Sequence, residues 1–227
     1  MPLASRIATT AETYLLAAVG GCIDAIGVIT LGGLFVSHMS GNTAALGAAF
    51  GQGHWSAGWP HLFAVPVFLL GLFLGYLWVG QSIRRCAGIF LTEAVLLAIF
   101  GVTLKLTGGL PTNSPGYFLL AMAPLLAMGL QNATLRQIGR STFPSTYVTG
   151  VLDRLAQATA QFWNTRGTPE APAKRREALS ALGIWLSYVA GALAGSAGLL
   201  VLGTAVITAP VLILVLLAAK FLREDRD

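Results

Sequence analysis

Apolar residues gather into six long blocks, at 14–36, 62–83, 88–106, 116–135, 179–202 and 203–221. Each is near the ~20 residues that carry a helix across a ~30 Å hydrocarbon layer, so the pattern predicts six transmembrane helices. The polar positions within this frame repeat. Asp24-Ala25 and Ser40-Gly41 in the first half are answered by Asn132-Ala133 and Thr149-Gly150 in the second, and Gly71/Gly75 recurs as Gly191/Gly195. The offsets are 108, 109 and 120, so the copies stay in register apart from one longer loop in the second half.

Three spans per copy have a geometric consequence: if the first copy starts inside and ends outside, the second must do the reverse. The expected fold is an all-α integral membrane protein of six transmembrane helices, arranged as two inverted three-helix repeats at about 11–107 and 116–222, in one membrane domain over 1–227. Each copy is expected to carry a broken or half-helix after its first span. In the first, Gly32-Gly33 is followed by the small polar run Ser40-Gly41-Asn42-Thr43 and then by apolar 44–50. Ser40 or Asn42 suits an N-cap, since a short side-chain oxygen accepts from the amides left unpaired at a helix start. Thr149 is the matching cap in the second copy, with Gly150 beside it and Asp153 in the first turn. Two such helices, if both enter the bilayer, aim their positive ends at a shared, anion-friendly centre. The competing reading makes 40–50 an interfacial helix.

Composition agrees with a membrane location. Residues are 55% hydrophobic and 10% charged, against about a quarter charged in soluble globules. Thirteen of the 14 Lys and Arg fall near the N-terminus, at 84–85, between 136 and 176, or from Lys220 onward, and only Lys105 lies elsewhere. Cytoplasmic loops collect positive charge, so both termini are expected in the cytoplasm. The first apolar run is too long for a signal-peptide core and reads as a mature span. The basic balance needs no nucleic acid, because no aromatics interleave the charges. Polar 164–178 reads as the one long cytoplasmic loop.

Candidate chemistry is sparse. Asp24, ~15 Å past Tyr14 by helix rise, is a deep acid of the kind that normally faces a cavity or partner, and its counterpart is neutral Asn132, preceded by Gln131. One titratable and one amide position suit a proton- or ion-coupled step at Asp24, or a structural hydrogen bond between repeats. Glu93, ~8 Å past Gly88, reads as snorkelling to the cytoplasmic face or meeting Arg84 or Arg85. Arg136, Arg140 and Arg154 stand at the same face, as topology alone predicts. Cys22 and Cys86 show no metal spacing, and His38, His54 and His61 cluster without a carboxylate or thiol, so no metal or cofactor is expected. The Gly pairs at i and i+4 read as helix packing, and exposed copies of that face make a homodimer plausible.

The strings GCIDAIGVITLGGLFVSHMSGNTAALG and MGLQNATLR with TYVTGVLDRLA resemble the YoaK-like family of bacterial integral membrane proteins (domain of unknown function 1275), over about 11–222. By that resemblance Asp24, Ser40, Gly41, Asn42 and Thr43 match its first motif, and Gln131, Asn132, Thr149 and Gly150 its second. The family implies no substrate. No nucleophile–base or metal constellation points to an enzyme. The residues support a small secondary transporter, proton-coupled through Asp24, for a small polar or anionic solute bound at Ser40–Thr43, Gln131, Asn132, Thr149 and Gly150. The alternatives are a small inverted-repeat channel and a non-transporting membrane scaffold.

Overall fold

A computed structural model describes residues 10–79, 82–138 and 148–224. In chain order the helices are α1 (Thr10–Thr30), α2 (Met39–Gly51), α3 (Trp55–Val79), α4 (Ile83–Thr107), α5 (Pro115–Ile138), α6 (Val148–Asn164), α7 (Ala171–Leu202) and α8 (Thr208–Glu224), with a 3-10 stretch at Gly203–Ile207 before α8. Among the described residues there is no strand. Five stretches are long and apolar enough to cross a membrane: Ala11–Thr30, Trp55–Val79, Arg84–Thr107, Pro115–Thr134 and Ala171–Glu224. The last runs for 54 residues and contains both of the final two expected spans. Gly203, at φ 58°, interrupts it.

Element ends depart from the apolar blocks where polar residues remain helical. The first helix stops at Thr30, not Val36, because Gly32 and Gly33 take φ 66° and 92°, a region that a side chain disfavours. α7 begins at Ala171, so helix replaces much of the expected loop at 164–178. Its first turns are held by the Arg154–Glu177 ion pair (2.8 Å) across to α6. α4 begins at Ile83, taking in Arg84 and Arg85.

Helices pack in a definite order: α1 on α7, α3 on α5, α4 on α5 and α8, α2 on α3 and α6 on α7. The two closest pairs meet at glycine. A Cβ on Gly21 would stand 2.0 Å from the Tyr188 carbonyl oxygen, and one on Gly191 2.0 Å from that of Ala18. In the α3–α5 pair, a Cβ on Gly129 would stand 2.5 Å from the Phe68 oxygen, and one on Gly71 2.6 Å from that of Leu126. Backbones in hydrocarbon associate by this kind of close van der Waals contact, since lipid supplies no hydrophobic drive between helices. The outer faces are apolar, with Leu200 88% and Leu106 80% exposed. The interior carries Asp24, Asn42, Glu93, Gln131, Asn132 and Thr134, all buried. Large apolar side chains turned outward in such number suit lipid, not water.

Candidate functional site

The site begins with the turn after α1. Leu31 and Gly33 donate back to Gly27 and Val28 (2.8 and 2.9 Å), closing the helix. The chain then doubles back along α1, and Gly27 makes room: a Cβ there would lie 2.9 Å from Val36 Cγ1. Asp24 receives the returning segment. Its Oδ1 accepts from the Val36 and Ser37 amides (2.9 and 2.8 Å), while Oδ2 accepts from the Ser37 hydroxyl and from Tyr188 Oη of α7 (2.7 Å). Four donors converge on a side chain only 3% exposed. An acceptor-only carboxylate is the group that satisfies all four. Asp24 is six residues from the end of α1, so the returning chain reaches ~9 Å back along the helix.

From that depth α2 starts. His38 precedes it and supplies no side-chain cap. The Asn42 amide is the first to bond within the turn, to the His38 oxygen (3.1 Å). The expected caps therefore do different work. Ser40 is exposed, and the Thr43 hydroxyl bonds to its own helix at the Met39 oxygen (2.8 Å). Asn42, fully buried, instead ties the return segment down: its amide donates to the Phe35 oxygen (2.7 Å) and its Oδ1 accepts from the Phe35 amide (3.2 Å). His61 Nδ1 of α3 contacts the same Oδ1 at 3.1 Å. Gly41 packs on the Phe35 ring, where a Cβ would come within 3.2 Å. Asp24, Gly41 and Asn42 thus form one structure, with Ser40 and Thr43 at its exposed edge.

The second-copy residues sit apart from that cluster. Gln131 Nε2 donates to the Leu16 oxygen of α1 (2.8 Å), and its Oε1 is buried without a partner. Asn132 donates to the Met128 oxygen of its own helix (2.9 Å). Thr149 is exposed and Gly150 buried, both within α6 and not ahead of it. Asp153 is likewise past the first turn of α6. The segment that would correspond to the Asp24 return loop, and Arg140 with it, lies outside the described residues.

Two groups were passed over in the sequence, and a third was misplaced. Tyr188 places a hydroxyl at Asp24, and the position 120 residues earlier, its counterpart under the expected repeat, holds Phe68. Ser37 was hidden in a glycine-rich break. Glu93 departs furthest from expectation: it is 0% exposed, and neither carboxyl oxygen has a hydrogen-bond partner. It neither snorkels nor meets Arg84 or Arg85. The helix starts at Ile83, so Glu93 is ten residues in, or ~15 Å.

Comparison with known proteins identifies relatives and no activity. The transmembrane protein YoaK of Bacillus subtilis (strain 168), a UPF0700 protein, is 27% identical over 148 residues, which cover 63% of this chain and 64% of that protein. The match thus spans less than two thirds of the relative's length. No solved structure matches the chain. The family model described as a protein of unknown function (DUF1275) matches residues 13–219. With a match over nearly its whole length, and with apolar helices throughout, the chain is an all-α membrane protein that belongs to the DUF1275 family.

Proposed function

We propose that this protein is a small secondary transporter, proton-linked, for a small polar or anionic solute, built from six spans as two inverted halves in a bacterial inner membrane with both termini cytoplasmic. One observation carries the reading. Asp24 joins the returning segment of the first half, through Val36 and Ser37, to Tyr188 in the second half. A carboxyl there gains a donor and loses an acceptor site when it takes a proton, so one of the two hydroxyls on Oδ2, that of Ser37 or of Tyr188, must either reverse to accept or let go. The bond to Tyr188 is the one that spans the halves, and its loss lets α7 move relative to α1.

The inverted arrangement draws support from the glycine contacts. Gly21 and Gly129 are 108 positions apart, as are Ala18 and Leu126, while Gly71 and Gly191, and Phe68 and Tyr188, are 120 apart. The contact of Gly21 with the Tyr188 carbonyl is thus repeated by Gly129 with that of Phe68, and that of Gly191 with Ala18 by Gly71 with Leu126. In this reading α4 and α8 are equivalent last spans, and their mutual packing is the third interface between the halves. The solute binds at the α2 N-terminus and the Asp24 return loop, with α6 gating the cytoplasmic side.

A ligand screen by thermal shift tests this reading on the purified protein, covering inorganic anions, organic acids, amino acids and cations at two pH values. The expected result is stabilisation by one solute class, dependent on pH and lost in Asp24→Asn. That variant keeps an acceptor for the Val36 and Ser37 amides and offers its new amine to hydroxyls able to accept, so it folds. Equal stabilisation in Asp24→Asn removes the coupling role. No stabilisation across the panel favours a pore or scaffold, whose sites bind too weakly to register.

A further inference from the structure

Glu93 is the group that the transport reading leaves unused. It lies on the buried stripe of α4, with Phe90 and Leu97 a turn to either side and Cys86, Phe100 and Leu104 continuing it. α4 packs against α5 and α8. Two contacts set its register: Phe90 meets the edge of the Phe221 ring of α8, centroids 5.5 Å apart, and a Cβ on Gly101 would lie 3.3 Å from Ile207, at the end of the 3-10 stretch that leads into α8. Rising residue numbers on α4 pair with falling ones on α8, so Glu93 lies at the level of Leu217 and Ala218, both buried.

Among the described residues no titratable group meets it there. On α4, Arg84 and Arg85 are exposed and roughly 12 Å down the helix. Cys86 is a buried thiol about two turns away, and Lys105 is exposed at the far end. On α8, Lys220 is engaged with Glu12 and Glu224, and Arg223 is in the last turn. On α5, Tyr117 gives its hydroxyl to the Leu31 oxygen (2.8 Å), and on α3 Tyr76 is exposed. The 3-10 stretch carries no titratable side chain. Both Glu93 oxygens are buried without a hydrogen-bond partner.

We infer that Glu93 is a proton-binding site: the closed α4–α8 seam holds it as the neutral acid, and opening of the seam to water lets it ionise. In that step its O–H bond breaks, the proton passes to water and the charge stays on the carboxylate. An ionised carboxylate fully buried without a hydrogen-bond partner would carry a desolvation cost with nothing to offset it, whereas a neutral acid has far less to lose. Proton occupancy is thereby tied to whether the seam is shut. Asp24, satisfied by four donors, has the opposite environment. The movement of the seam rests on the transporter reading; the binding of the proton does not.

Infrared difference spectroscopy on the full-length protein in liposomes tests this, because it reads the acid without needing reagent access. At neutral pH an ordinary glutamate, dissociating at roughly 4.3, shows no carboxylic-acid carbonyl band. Wild type and Asp24→Asn are expected to show that band, and Glu93→Gln, which has the shape of the neutral acid and so folds, to lose it. Solute-driven proton flux in the same Glu93→Gln liposomes is expected to fall at least tenfold. A neutral-pH spectrum in which folded wild type and Glu93→Gln have the same acid bands overturns the proton site. A band with flux unchanged in Glu93→Gln overturns its coupling. A Glu93-dependent band in a wild type that moves no solute upholds the proton site and sinks the transport reading instead.

Discussion

At the scale of single residues, the short polar run after α1 divides into members that hold structure and members that face outward. Asn42 is the clearest holder, since it satisfies both backbone groups of Phe35 from a fully buried position. Asn42→Ala leaves a buried amide and carbonyl unpaired and is expected to cost about 2–3 kcal/mol. Thr43→Ala removes an exposed hydroxyl bonded to its own helix and is expected to change stability by less than about 0.5 kcal/mol. Thermal unfolding of both variants in detergent measures the difference. If Thr43→Ala abolishes solute binding while leaving the midpoint unmoved, its place at the site edge is functional. The sequence marked both residues alike, as hydrophilic positions at a helix start. Only the return of the chain along α1, set by Gly27, Gly32 and Gly33, separates them.

Between elements, small residues decide how near two helices come. Gly191→Ala would push a methyl to 2.0 Å from the Ala18 carbonyl oxygen, which is backbone and cannot rotate away. The variant is expected to lose about 3 kcal/mol, the upper end for overpacking, and to lower the unfolding midpoint by several degrees. Gly47→Ala in α2 is the control. Nothing lies within 4 Å of that position, and replacing an exposed helical glycine with alanine should gain up to about 1 kcal/mol. Comparable losses in both variants would contradict the packing described. These glycine pairs were legible in the sequence because close helix crossing requires a specific residue at a specific spacing. Helix ends were less so, since hydropathy does not register that Arg84, Arg85 and Lys174–Arg176 stay helical beyond the apolar core. Glu93 was misread for that reason: placing the start of α4 at Gly88 instead of Ile83 moved it toward the surface by five residues.

Across the whole molecule, the sequence disclosed the membrane location and singled out Asp24, and it suggested the duplication on which the proposed architecture rests. It did not disclose Tyr188 as the partner of Asp24, because a contact between residues 164 positions apart depends on α1 packing against α7. That long-range bond gives the account its mechanism: a carboxylate holds a return loop and the opposite half of the bundle together, and a second acid lies sealed in the α4–α8 seam. Solute-driven proton movement in sealed proteoliposomes is the most direct test. Wild type and Asp24→Asn would be reconstituted around a trapped pH-sensitive dye and challenged with organic acids, amino acids and inorganic anions in turn. The account predicts that one solute class shifts the internal pH in wild type and does nothing in folded, inserted Asp24→Asn. The same pH shift in both proteins, or solute entry in wild type with no proton movement at all, would contradict it.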